Sequence, residues 1–110
     1  MNKKFVLLDS RQRDLELARA GVEMSLGVSL NVHDSYYLGG AYFRYDWDDS
    51  SLILKENTVE DDGERAEAEF PDARIIISLA GAARAVSNLE ALLTKGSSLA
   101  VVLRSRTSLR

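Results

Sequence analysis

The chain contains no cysteine, which excludes a disulfide framework, a thiolate metal site and a thiol nucleophile together. That absence agrees with a reducing compartment. There is one histidine, His33, and neither a GxSxG elbow nor another nucleophile motif accompanies it, so no hydrolytic triad is visible. His33 beside Asp34 leaves a general base open, but a polar loop histidine explains it more simply, because pKa-matched catalysis needs a prepared cleft. Long apolar runs are missing as well. Phe5 to Leu8, Ile75 to Ile77 and Leu99 to Leu103 fall far below the roughly 20 residues of a membrane helix. Lys3 and Lys4 precede an apolar stretch, yet Asp9 ends it too early for a signal-peptide core. The expectation is a cytoplasmic protein with no membrane association and no catalytic residues, cofactor or metal.

What is present suits one ordinary domain spanning residues 1–110, with 45% hydrophobic and 28% charged residues, near the globular average. The formal charge of -3 conceals a division. Residues 46–72 hold eleven acidic residues against Lys55 and Arg65, a net -9, while the remainder holds six acidic against twelve basic residues, a net +6. Such polarity directs a field from one side of the molecule and steers a basic partner toward it.

Periodicity predicts the elements. KKFVLLD (3–9) is a short apolar run that reads as a strand buried on both faces. A helix follows, with Asp9 and Gln12 spaced as a capping box, Leu15, Ala18, Val22 and Leu26 on one face, and Gly27 as the stop. Gly21 weakens its middle by roughly 1 kcal/mol relative to Ala. Residues 28–34 give no clear signal. After Gly39 and Gly40, Phe43, Tyr45 and Trp47 alternate with Tyr42, Arg44 and Asp46 as in a strand, and the polar turn 48–51 leads into SLILKEN to complete an antiparallel hairpin. Ala66, Ala68 and Phe70 alternate with Glu67 and Glu69 as a further strand, although the Ala and Glu content favours helix. Pro71 and Asp72 make a turn before ARIIISLAG, the expected heart of the sheet. Ala82, Val86, Leu89 and Leu93 recur at helical spacing, with Lys95 in the last turn and Gly96 as the stop. SSLAVVLRS forms the last strand and RTSLR a frayed polar tail. The expected fold is α+β, a mainly antiparallel sheet of five to six strands with two helices covering a face, in the order β-α-β-β-β-β-α-β.

Motifs for chemistry are sparse. Asp46, Asp48 and Ser50 match the first three places of a calcium loop, but Ser51 stands where the turn demands Gly and Asn57 where a bidentate Glu is needed. Asp61 with Asp62, or Glu67 with Glu69, could hold magnesium or act as acid and base, yet on a like-charged run they read more simply as a solvated face. Gly39 and Gly40 lack the helix start and Lys-Ser/Thr pair of a phosphate cradle. Arg104, Arg106 and Arg110 form a basic tail without an aromatic stacking platform, which disfavours direct nucleic-acid binding and makes them cover for a strand edge or the domain surface. Tyr36, Tyr37, Tyr42, Phe43, Tyr45 and Trp47 gather most of the aromatic residues into twelve positions. Alternation assigns Phe43, Tyr45 and Trp47 to the core and leaves Tyr37 and Tyr42 facing outward beside the acids, a combination typical of protein-binding surfaces. An acidic skin kept only for solubility is the plainer alternative.

GGAYF, the LILKEN strand, the acidic EDDGE segment, the EFPD turn and the IIISL strand, spread over about residues 36–104, together resemble small bacterial immunity proteins, including those of contact-dependent growth inhibition systems. The resemblance implies an antitoxin that binds a cognate basic toxin domain 1:1, commonly a nuclease such as a tRNase, and blocks its active site. The residues expected to make contact are Tyr37, Tyr42, Asp46, Asp48, Asp49, Glu60, Asp61, Asp62, Glu64, Glu67 and Glu69. Two other readings use the same residues: a small regulatory or assembly domain, and a divalent-metal-dependent module.

Overall fold

The computed structural model describes residues 2–35, 40–47, 49–57, 70, 72–95 and 99–108. Eight elements follow in chain order: β1 (Lys3–Ser10), α1 (Leu15–Leu26), β2 (Asn31–Ser35), β3 (Gly40–Trp47), β4 (Ser50–Glu56), β5 (Ile75–Ala82), α2 (Ala83–Thr94) and β6 (Ala100–Ser108). The strands form one sheet in the order β2-β3-β4-β5-β1-β6, and every neighbouring pair is antiparallel. This is the α+β class and the element order that the sequence predicts.

The pleat decides what is buried. Val6 and Leu8 of β1, Phe43 of β3, Leu52 and Leu54 of β4, and Ile75, Ile77 and Leu79 of β5 share the face that the helices cover. Ala18 and Val22 of α1 and Val86, Leu89 and Leu93 of α2 close that core from the other side. On the opposite face Leu7 and Ile76 make a second, smaller cluster with Ala73, backed by Phe70 and Leu103. Burial on both faces explains the continuous apolar runs of β1 and β5, the latter lying mid-sheet as expected. In β1 this double burial covers Val6 to Leu8 only, since Phe5 is half exposed.

Helix α1 starts one turn later than the Asp9–Gln12 spacing suggests. Asp9 lies inside β1, held there by pairing with Ile76 and Val101 on its two sides, and the cap is Asp14, whose side chain accepts from the Leu17 amide at 3.1 Å. The Gly27 stop is present, with φ 69° in the left-handed region where a side chain is disfavoured. Glu23 then fastens the helix end to the next strand by accepting from the Leu30 amide at 2.7 Å. Helix α2 begins directly where β5 ends, so Ala82 is its N-cap and not a face residue, and Lys95 occupies the C-cap position beyond the last turn.

Two further differences concern strands. Residues 31–35, silent in the sequence, form the edge strand β2 paired with β3, so His33 lies on a strand and not in a loop. The final strand continues through Arg106 to Ser108, because β1 offers backbone partners as far as Lys3 opposite Ser108; the expected frayed tail is ordered up to that residue. The strand expected around Ala66 to Phe70 lies outside the described residues except for Phe70.

Candidate interaction surface

The acidic run 46–72 is divided by β4. Asp46 and Asp49 stand at the turn where β3 meets β4, whereas Glu56 and Asp72 stand at the opposite end, where β4 leads toward β5. The six residue steps between Ser50 and Glu56 separate these ends by about 20 Å. A partner contacting both Asp49 and Asp72 must therefore reach two places.

The turn end is built tightly. Gly81 of β5 adopts φ 142° and comes so close to the turn that a Cβ there would collide with the Asp49 carbonyl oxygen and the Ser50 Cα. The same carbonyl accepts from the Ala82 amide at 2.9 Å, joining the turn to the start of α2. Ser50, Tyr45 and Trp47 share the helix-covered face at this end, and the two aromatic rings meet edge to face with centroids 4.6 Å apart. Both are only half buried, so they complete the rim of the core and not its interior, whereas Phe43 of the same strand is fully enclosed. Between the turn and α2 lies an open groove of about 560 Å³ lined by Tyr45, Asp46, Trp47, Asp49, Ser50, Ala85, Asn88 and Leu89. Ser50 is 8% exposed and its Oγ has no hydrogen-bond partner.

The other end is closed by Asn57, which is fully buried. Its Nδ2 donates to the carbonyls of Phe70 at 3.0 Å and Ala73 at 2.9 Å, and its amide donates to the Arg74 carbonyl at 2.9 Å. Both side-chain amide hydrogens are used, so this one residue ties together the two ends of the segment 58–69. Above it, the Arg104 guanidinium lies 5.9 Å from the Phe70 ring centroid, consistent with an arginine that covers the edge-strand side of the sheet.

Of the residues singled out in the sequence, Tyr42, Asp46 and Asp49 are described. Tyr42 lies on the face away from the helices, half buried, with its ring stacked on His33 at 5.3 Å and 17°. His33 is exposed on the edge strand and its visible company is this ring, not a nucleophile. Asp46 is exposed and already engaged, its carboxylate receiving Arg44 Nε at 3.0 Å. Asp49 is exposed at the turn beside the groove. Tyr37, Asp48, Glu60, Asp61, Asp62, Glu64, Glu67 and Glu69 lie outside the described residues. Among the described residues no group of three or more His, Asp or Glu side chains is arranged to hold a metal ion.

Sequence reasoning missed Trp47 and Tyr45 as surface residues, because alternation assigned them wholly to the core. It also missed Asn88 and Ser50, which meet this groove only through the tertiary fold. A shifted titration lies elsewhere: burial pushes the Asp9 carboxyl above its ordinary 3.8, partly opposed by Arg13 and Arg11. No helix among the described residues is long and apolar enough to cross a membrane.

No protein-family model matches the chain, and no curated protein is similar enough to count as a relative. The fold defines a small α+β protein with exposed acidic residues near both ends of β4.

Proposed function

We propose that this protein is an immunity protein, an antitoxin that acts in the cytoplasm by binding a cognate basic toxin domain 1:1 and occluding its active site. The toxin class favoured is a nuclease such as a tRNase, whose substrate channel is basic because it accommodates phosphates. The observation that carries the reading is the concentration of net -9 into residues 46–72 of a chain whose remainder is net +6. The fastening of that run to the sheet, through Gly81 at one end and Asn57 at the other, supports it further. A field directed from one part of the molecule accelerates encounter with a basic surface and penalises a wrong approach.

The test begins with the neighbouring genes. A large secreted protein ending in a small basic domain is expected to be encoded immediately upstream. Mixing that domain with this protein should give a salt-sensitive 1:1 complex and abolish the toxin's turnover. A toxin domain that keeps full activity in the presence of excess protein would remove the immunity reading.

A further inference from the structure

Within the reading of a basic protein partner, on which this inference rests, we infer that the groove between the β3–β4 turn and α2 receives an arginine side chain of that partner. Four features converge on a guanidinium. Tyr45 and Trp47 present aromatic surface, half buried and already arranged edge to face, which attracts a flat cation through the ring quadrupole. Asp49 lines the groove and supplies an acidic side chain. Ser50 contributes an almost fully buried hydroxyl with no partner of its own, a group that costs free energy until a ligand satisfies it. Asn88, exposed on α2 and lining the same groove, adds an amide oxygen.

Arginine suits this set better than lysine. Its planar head carries five donors in a fixed fork and stacks on aromatic faces, whereas an ammonium is a compact point charge that holds its water. An anion is the poorer occupant even though α2 begins nearby. Two of the amides at the start of that helix are already taken, Ala82 by the Asp49 carbonyl and Ala83 by the Asn2 carbonyl at 3.0 Å, and the Asp49 carboxylate would repel an anion.

Trp47 is the only tryptophan in the chain, so its indole N–H resonance and its fluorescence report on this groove alone. The probes are hexa-arginine and hexa-lysine amides, titrated at equal low ionic strength. Hexa-arginine is expected to shift the indole resonance saturably and to bind about fivefold more tightly than hexa-lysine, the equivalent of one added cation–π contact. Asn88→Lys, a substitution at an exposed helix position, should place a competing ammonium in the groove and erase that preference.

Two results overturn the inference and separate it from the reading beneath it. Peptide that binds while the indole signal stays still, shifting only amides of residues 56–74, would sink the groove and leave a basic partner in place. Peptide that binds nowhere at low salt would sink both. An arginine preference that survives Asn88→Lys intact would also overturn the groove assignment.

Discussion

At the scale of single residues, three positions bear loads that their neighbours in sequence do not announce. Gly81 combines a left-handed φ of 142° with backbone contact at Asp49 and Ser50, so a methyl group there has neither the conformation nor the space it needs. Gly81→Ala should lower stability by about 2 kcal/mol or more, read as a reduced midpoint in urea unfolding, and should loosen the turn beside the groove. Asn57 is the counterpart at the other end. Asn57→Ala leaves the Phe70 and Ala73 carbonyls without their donor and should cost about 2–3 kcal/mol, with faster amide exchange concentrated at Phe70 to Arg74. Asp9 works against the fold. One of its carboxylate oxygens is buried without a partner, and burial raises its pKa above 3.8 despite Arg13 and Arg11. The folded chain therefore holds this proton more tightly than the unfolded chain does, so the ionised group destabilises the protein at neutral pH and the cost fades as pH falls through the carboxylate range. Asp9→Asn should raise the urea midpoint at pH 7 and lose that advantage in acid; an equal gain at every pH would assign it to packing.

At the scale of elements, what the sequence revealed depended on how many faces each element buries. The apolar stripes of α1 and α2 and the alternation of β3 and β4 were legible because one side of each faces the core. Strand β2 was not, since Asn31, Val32 and His33 are all exposed and the strand is held by its backbone ladder to β3, which leaves no mark on side-chain pattern. The polar end of β6 was hidden for the same reason: Arg106, Thr107 and Ser108 are exposed while their backbones pair with β1. The start of α1 was misplaced because two Asp residues can each cap, and only the double pairing of β1 decides between them. Asp14→Ala should accordingly shorten α1 and cost about 1 kcal/mol, seen as lost helical ellipticity, whereas Asp9→Asn should leave the helix length unchanged. The proposed binding surface was legible as charge and illegible as shape, since nothing in the order of residues says that Asn88 will line the same groove as Trp47.

At the scale of the molecule, the separation of the acidic run into two ends by β4 gives each end a different part in association. Exposed charges act mainly on the encounter, while a side chain seated in a groove acts on the lifetime of the complex. Reversing Glu56 and Asp72, both exposed at the far end, to Lys should therefore slow association with the proposed basic toxin domain and flatten its salt dependence, with little change in the dissociation rate. Asp49→Lys, at the groove, should do the opposite and speed dissociation at any ionic strength. Because about 20 Å of strand lies between the two ends, the effects on binding free energy should add when the substitutions are combined. Stopped-flow association and dissociation rates at two salt concentrations separate these terms. Strong non-additivity would mean that one partner surface feels both ends at once, and that the acidic run acts as a single patch despite the strand that divides it.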